Sequence, residues 1–172
     1  MNDLLINRAT PDDALEIQQA TNEASMGMYR LCGWSENEIG SRFTEEKTQE
    51  GAKKLSDSIK DFTENDIFLV ARKGERIIGY IYAEKQKERI ILEAMYILPE
   101  FQGKGVSQAL WEETLKYIPQ ETPIYLNVLA LNSKAINFYK KIGFVETGRR
   151  SRDDRFKASD GSILEEIEMV RA

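Results

Sequence analysis

The sequence predicts a mixed α/β domain in which helices pack on the faces of a sheet. Three observations carry this. Residues 67–98 read as three strands in succession, joined by short turns. A glycine-containing segment then opens a helix straight after the third strand. From there strands and helices alternate to the end of the chain, which is the pattern of a layered sheet and not of a helix bundle. With 172 residues, positions 1–172 are expected to form one domain.

Leu4 to Arg8 reads as a first strand. Thr10-Pro11-Asp12-Asp13 is a helix entry, with a hydroxyl cap, proline in the first turn and acids at the positive end of the dipole. Ala14, Ile17, Ala20 and Thr21 continue at helical spacing, and an apolar-aromatic stretch from Met26 to Trp34 breaks near Gly33. Ser35 with Glu38 forms a capping box. From Thr44 to Phe62 the pattern is helical and highly charged, with Leu55, Ile59 and Phe62 on one face. Strands follow at Ile67–Ala71, Ile77–Ala83 and Ile90–Leu98, with turns at 73–76 and 85–88 and a stop at Pro99. The next helix runs to about Ile118, where Pro119 and Pro123 break it. Ile124–Ala130 is a strand, Ser133–Ile142 a helix stopped by Gly143, and Phe144–Arg149 and Ile163–Val170 are closing strands.

Composition excludes much chemistry. There is no histidine, which removes Ser-His-Asp triads, Cys-His dyads and His-ligated metals. Cys32 is the only cysteine, so no internal disulfide forms and no metal site is expected. The net charge of −5 argues against a nucleic-acid binder driven by overall charge. The charge is uneven: residues 1–66 carry 14 acids against 7 bases, and residues 67–172 carry 15 acids against 17 bases. One half therefore suits a cation and the other tolerates an anion. Apolar runs fall far short of the roughly 20 residues that span a bilayer, and the start, Met1 to Arg8, does not read as a signal peptide. A cytoplasmic protein without membrane partners is the expectation, and its assembly state stays open, a homodimer included.

Two segments carry chemistry. In Gln102-Gly103-Lys104-Gly105-Val106-Ser107 the glycines let the backbone turn tightly and approach a ligand, and the following helix aims its free N–H groups into the turn. This makes a pyrophosphate cradle that needs no net positive charge. A helix-start loop with incidental glycines is the competing reading. In the second segment, Asn132 sits at a helix entry with its amide free to bond a ligand. Tyr139 follows about two turns later on the same side. Taken alone, Tyr139 also reads as an amphipathic core tyrosine.

Together the segments resemble the GNAT superfamily of N-acetyltransferases. Gln102, Gly105 and Ser107 match its acyl-CoA motif, Gln/Arg-x-x-Gly-x-Gly/Ala; Ser107 departs from the usual last residue but is small. Asn132, Ala135, Tyr139, Gly143 and Phe144 match its later Asn-x-x-Ala-x-x-x-Tyr-x-x-x-Gly-Phe pattern, and Ile6 to Asp13 look like its start. The resemblance implies a GNAT-type fold of the α/β (α+β) class: a mixed, mostly antiparallel twisted sheet with helices on both faces. It implies acetyl-CoA as co-substrate, wedged between two splaying strands. The pantetheine arm would pair with the strand containing Met95-Tyr96-Ile97 and bond Asn132. The pyrophosphate would rest on backbone N–H groups of Gly103, Lys104, Gly105, Val106, Ser107 and Gln108. Lys104 and Lys134 read as solvated surface lysines.

By the same resemblance, Tyr139 would serve the leaving thiolate, and a backbone N–H on the Met95–Ile97 strand would polarise the thioester oxygen. Some family members carry a glutamate five residues before the motif asparagine. Here that position is Asn127, which has no useful basicity. Glu93 is the substitute base, Glu84 a poorer one, and a solvent-relayed proton needs neither. The expected function is acetyl transfer to a primary amine. A small cationic acceptor such as a polyamine is favoured by the acidic segment between residues 10 and 66, where Glu16, Glu23, Glu36, Glu38, Glu45, Glu46 and Glu50 lie. Acetylation of a protein or peptide amine or an aminoglycoside, and a catalytically silent acyl-CoA sensor, are the alternatives.

Overall fold

The computed structural model describes residues 3–172, and of Arg155 the backbone alone. Met1 and Asn2, part of the chain start read above, lie outside the described residues. The elements are β1 (Leu4–Arg8), α1 (Ala14–Leu31), α2 (Glu36–Arg42), α3 (Glu45–Lys60), β2 (Asp66–Lys73), β3 (Arg76–Gln86), β4 (Arg89–Ile97), α4 (Val106–Leu115), β5 (Ile124–Leu129), α5 (Ser133–Lys141), β6 (Val145–Lys157) and β7 (Ile163–Arg171). The strands form one sheet in the order β1-β2-β3-β4-β5-β7-β6. Only the β4–β5 pair is parallel among the described strands. This is the mixed, mostly antiparallel sheet expected.

The continuous apolar run Ile67–Ala71 is explained by burial on both faces. Ile67, Leu69 and Ala71 point into a large cluster with Val106, Leu110 and Trp111 of α4 and Ile136 of α5. Phe68 and Val70 point the other way, to Ile17 of α1 and Ile59 of α3. The expected stripe on α3 is real: Leu55, Ile59 and Phe62 all join this second cluster. The start of α1 is tied to the sheet by ions. Arg72 binds Asp13, and Glu16 accepts the Ile77 N–H at 2.7 Å. The Ser35–Glu38 capping box opens α2, with the Ser35 N–H donating to Glu38 at 2.8 Å.

Several boundaries differ from expectation. β3 runs through the expected turn to Gln86, leaving a tighter connection that places Lys87 at φ 36°. α4 ends at Leu115 and not near Ile118. β6 extends to Lys157, well past Arg149, because register shifts let its charged distal half keep pairing with β7.

Two irregularities shape the centre of the sheet. In the β3–β4 ladder Tyr82 faces Ala94 and Ala83 faces Leu92, so Glu93 is the extra residue of a bulge. Further along, Gly79 faces Ile97, and a Cβ on Gly79 would lie 2.8 Å from the Tyr96 carbonyl oxygen and 2.6 Å from Ile97 Cδ1. The bare glycine lets β4 lie close against β3 at its far end. Gly79→Val should therefore destabilise the fold by about 1–3 kcal/mol through overpacking. Equilibrium denaturation in urea measures this; an unchanged midpoint would show that β4 does not need the close approach.

Candidate active site

The sheet is joined at its middle by very little. β4 and β5 pair only at Ile90 with Ile124 and Ile91 with Tyr125. Past that point β4 continues to Ile97 against β3, while β5 continues to Leu129 against β7. The two strands diverge, and the facing edge of β4 from Leu92 to Ile97 carries main-chain groups that β5 does not pair.

The glycine segment stands at the end of β4. A 3₁₀ turn at Pro99–Phe101 leads into Gly103 at φ 74° and Gly105 at φ 82°, both left-handed, where a side chain would be strained. Gly105 is the N-cap of α4, and no side chain caps the helix. Its carbonyl accepts the Ala109 N–H at 3.0 Å, so the N–H groups of Val106, Ser107 and Gln108 precede the first intrahelical bond. The expected run of donors narrows, because the Lys104 N–H turns back to the Phe101 carbonyl at 3.4 Å. Lys73 and Lys104 stand over the Phe101 ring at 5.7 and 5.6 Å and add positive charge nearby, whereas Arg76, at 6.0 Å, is paired with Glu100 at 2.9 Å. Gln102 donates its amide to the Ile97 carbonyl at 3.0 Å and accepts from the Lys134 ammonium. Lys134 is exposed, in keeping with its reading as a surface lysine, and its ammonium is held by this one hydrogen bond to Gln102.

Asn132 corrects a second expectation. Its side-chain oxygen accepts the Ala135 N–H at 3.1 Å and caps α5, so its amide is not free. Only the –NH₂ side is left to donate outward. Tyr139 packs as the core reading expects. Its ring packs edge-on against Phe144 at 5.7 Å and lies partly buried against the core. Burial pushes its phenol well above the usual range, and Tyr96 lies near enough to raise it further. The hydroxyl therefore holds its proton.

A layer of hydroxyl-bearing aromatics lines the opposite face, and of these Tyr80 and Tyr82 were not singled out in the sequence. Tyr80 and Tyr96 lie side by side with ring centroids 5.5 Å apart, and the Tyr80 hydroxyl meets Thr21 of α1 at 2.8 Å. Tyr82 stacks on Phe62 at 5.3 Å and donates to Asp66 at 2.9 Å. Its phenol is raised by burial, by that bond and by the charges of Glu84 and Glu93. Burial likewise raises Tyr96, while the Ser25 hydroxyl pulls back. The alternation Tyr80-x-Tyr82, paired with Tyr96 across the ladder, was the available signal.

Asp66 of β2, Glu84 of β3 and Glu93 of β4 thus all act on the Tyr82 phenol, and Glu93 shares its strand with Met95, Tyr96 and Ile97. Asn127 lies exposed on β5, opposite Glu168 of β7. Among the described residues no group of three or more His, Cys, Asp or Glu side chains forms a metal-binding cluster. Among the same residues, no helix is long and apolar enough to cross a membrane.

The chain matches the family model described as "Acetyltransferase (GNAT) family" over residues 36–144. It is 32% identical over 101 residues to "Peptidyl-lysine N-acetyltransferase YjaB" of Escherichia coli, covering 58% of this chain and 64% of that protein. It is 38% identical over 90 residues to "Spermidine N(1)-acetyltransferase" of Vibrio cholerae, covering 47% of this chain and 50% of that protein. The chain thus aligns with less than two thirds of the length of these relatives. Among solved structures, the PaiA N-acetyltransferase of Thermoplasma acidophilum in complex with coenzyme A superposes with a TM-score of 0.71 at 23% identity, covering 98% of both chains. That likeness is one of fold.

Proposed function

The chain belongs to the acetyltransferase (GNAT) family, and we propose that it transfers the acetyl group of acetyl-CoA to a primary amine, with a small cationic amine such as a polyamine as acceptor. One observation carries the reading: an unpaired stretch of β4 leads directly to a glycine-opened helix whose first N–H groups have no side-chain cap. A pantetheine arm is an extended chain with amide groups, which fits an open strand edge, and a diphosphate fits the N–H groups of Val106, Ser107 and Gln108. Gly103 leaves open space where a Cβ would stand, so the backbone is accessible there.

When bound, acetyl-CoA supplies a thioester that amines attack, with a thiolate of intrinsic pKa about 8.5 to depart. The protein's part is to position and to handle protons. Main-chain groups of Met95, Tyr96 and Ile97 align the arm, and one N–H polarises the thioester oxygen. The Asn132 –NH₂ donates from the other side of the cleft. The Tyr139 phenol, held neutral by burial, donates a hydrogen bond to the departing sulfur. With the phenol above its ordinary value of about 10, full transfer to the thiolate would run uphill by more than about 2 kcal/mol. Its contribution is therefore a stabilising hydrogen bond more than a completed proton transfer. Glu93 is the extra, exposed residue of the β4 bulge, and it takes the proton that an ammonium, with a pKa near 10, must lose before attack.

The acceptor side is anionic. Asp66, Glu84 and Glu93 lie around Tyr82, and aromatic rings stand beside them. Such a wall favours a multiply charged amine. The spermidine-acetylating relative supports this, whereas the peptidyl-lysine-acetylating relative supports a second reading in which the amine belongs to a lysine side chain.

Tyr139→Phe should lower kcat by about tenfold to a thousandfold and leave coenzyme A affinity unchanged. In the same steady-state assay Glu93→Gln should lower kcat most at neutral pH and recover as pH approaches the amine's own pKa. Unchanged kcat in both variants would remove these roles. For the acceptor, kcat/KM should be higher for spermidine than for a zwitterionic amino acid. That advantage should shrink between about 0.05 and 0.5 M salt, as the Debye length falls from about 14 to about 4 Å. Inactive spermidine alongside acetylation of a lysine peptide would support the second reading.

A further inference from the structure

The Ile97 carbonyl, the Gln102 amide and the Lys134 ammonium form a continuous hydrogen-bonded line across the mouth of the cleft. Ile97 is the last residue of β4, Gln102 opens the glycine segment, and Lys134 lies in the first turn of α5. The line therefore links the two arms that diverge after Ile91 and Tyr125. Gln102 is spent at both ends: its nitrogen donates at 3.0 Å to main chain and its oxygen accepts from Lys134. The contact spans 32 positions in sequence, so it reports tertiary placement and not local helix geometry.

We propose that Lys134 is a positioning residue that acts through Gln102. It fixes the glycine segment relative to β4 and α5, and so sets the affinity of the cleft for the phosphate end of coenzyme A. This rests on the acetyl-CoA reading above. The nature of its partner matters. The ammonium fixes the amide oxygen by a charge-assisted hydrogen bond, which leaves the amide nitrogen to hold the Ile97 carbonyl. Lys134 is exposed on the helix surface, so its removal leaves the core intact. The chain of bonds also gives the motif glutamine a task its backbone alone does not explain: a side chain with both a donor and an acceptor joins a main-chain carbonyl to an ammonium.

The test is a double-mutant cycle read by calorimetric titration with coenzyme A, using wild type, Lys134→Met, Lys134→Arg, Gln102→Leu and Lys134→Met/Gln102→Leu. Lys134→Met should weaken binding by about tenfold with an unchanged thermal midpoint. Lys134→Arg, which keeps a donor and the charge, should recover to within about threefold of wild type. The double variant should bind within about twofold of Gln102→Leu, because the lysine then has no glutamine to hold. In turnover, the Lys134→Met defect should appear in KM for acetyl-CoA and not in kcat. Wild-type affinity in Lys134→Met, failure of arginine to rescue, or losses that multiply in the double variant would each overturn the positioning role while leaving the acetyl-CoA reading standing. Wild type that binds no coenzyme A would overturn both.

Discussion

The constraint on which the rest depends is the incomplete joint between β4 and β5. A sheet ordinarily pairs every interior strand on both edges, because unpaired main-chain groups are costly once water is excluded. Here the two strands share only two residue pairs before they separate. Everything that holds the arms is therefore placed elsewhere: in the tight β3–β4 contact at Gly79, in the long β6–β7 hairpin and in the apolar cluster shared by α4 and α5. The exposed edge of β4 then becomes the natural place for an extended ligand. In the proposed reading, the left-handed glycines at its end would supply an anion site without needing a basic surface.

The physical origin of each feature decided how much of it could be read in the sequence. The meander over residues 67–98 was legible because three apolar runs are separated by turn residues, and both faces of the central strands are buried. The glycine segment was legible because positive φ at Gly103 and Gly105 has a direct signature in residue type. The length of β6 was not, since its distal half is charged and owes its strand form to pairing with β7 and not to local preference. The bulge at Glu93 and the close approach at Gly79 are properties of register, which only the partner strand reveals. Asn132 was read as a ligand group when it is first a helix cap. A single residue type serves both uses, and the sequence does not say which lone pair is taken.

Charge is distributed in keeping with two different ligands on the two sides of the cleft. Lys73, Lys104 and Lys134 stand near the glycine segment, and Asp66, Glu84 and Glu93 stand near Tyr82. A chain of net charge −5 can therefore accommodate an anionic co-substrate, because the local field and the helix dipole matter more than the total. With no histidine in the sequence, proton handling falls to phenols and carboxylates. The buried phenols of Tyr80, Tyr96 and Tyr139 are all shifted upward, which suits them to donate hydrogen bonds and to remain neutral while doing so.

The central claim is that the parted strands and the uncapped start of α4 form one binding site for coenzyme A. Titrating coenzyme A into isotope-labelled protein while following backbone amides by NMR tests it most directly. The account predicts that the amide signals of Val106, Ser107 and Gln108 and those of Met95, Tyr96 and Ile97 move along one shared saturation curve, while those of the outer half of β6 stay in place. Saturable binding that leaves either group unmoved, or that moves amides elsewhere in the sheet, would contradict it.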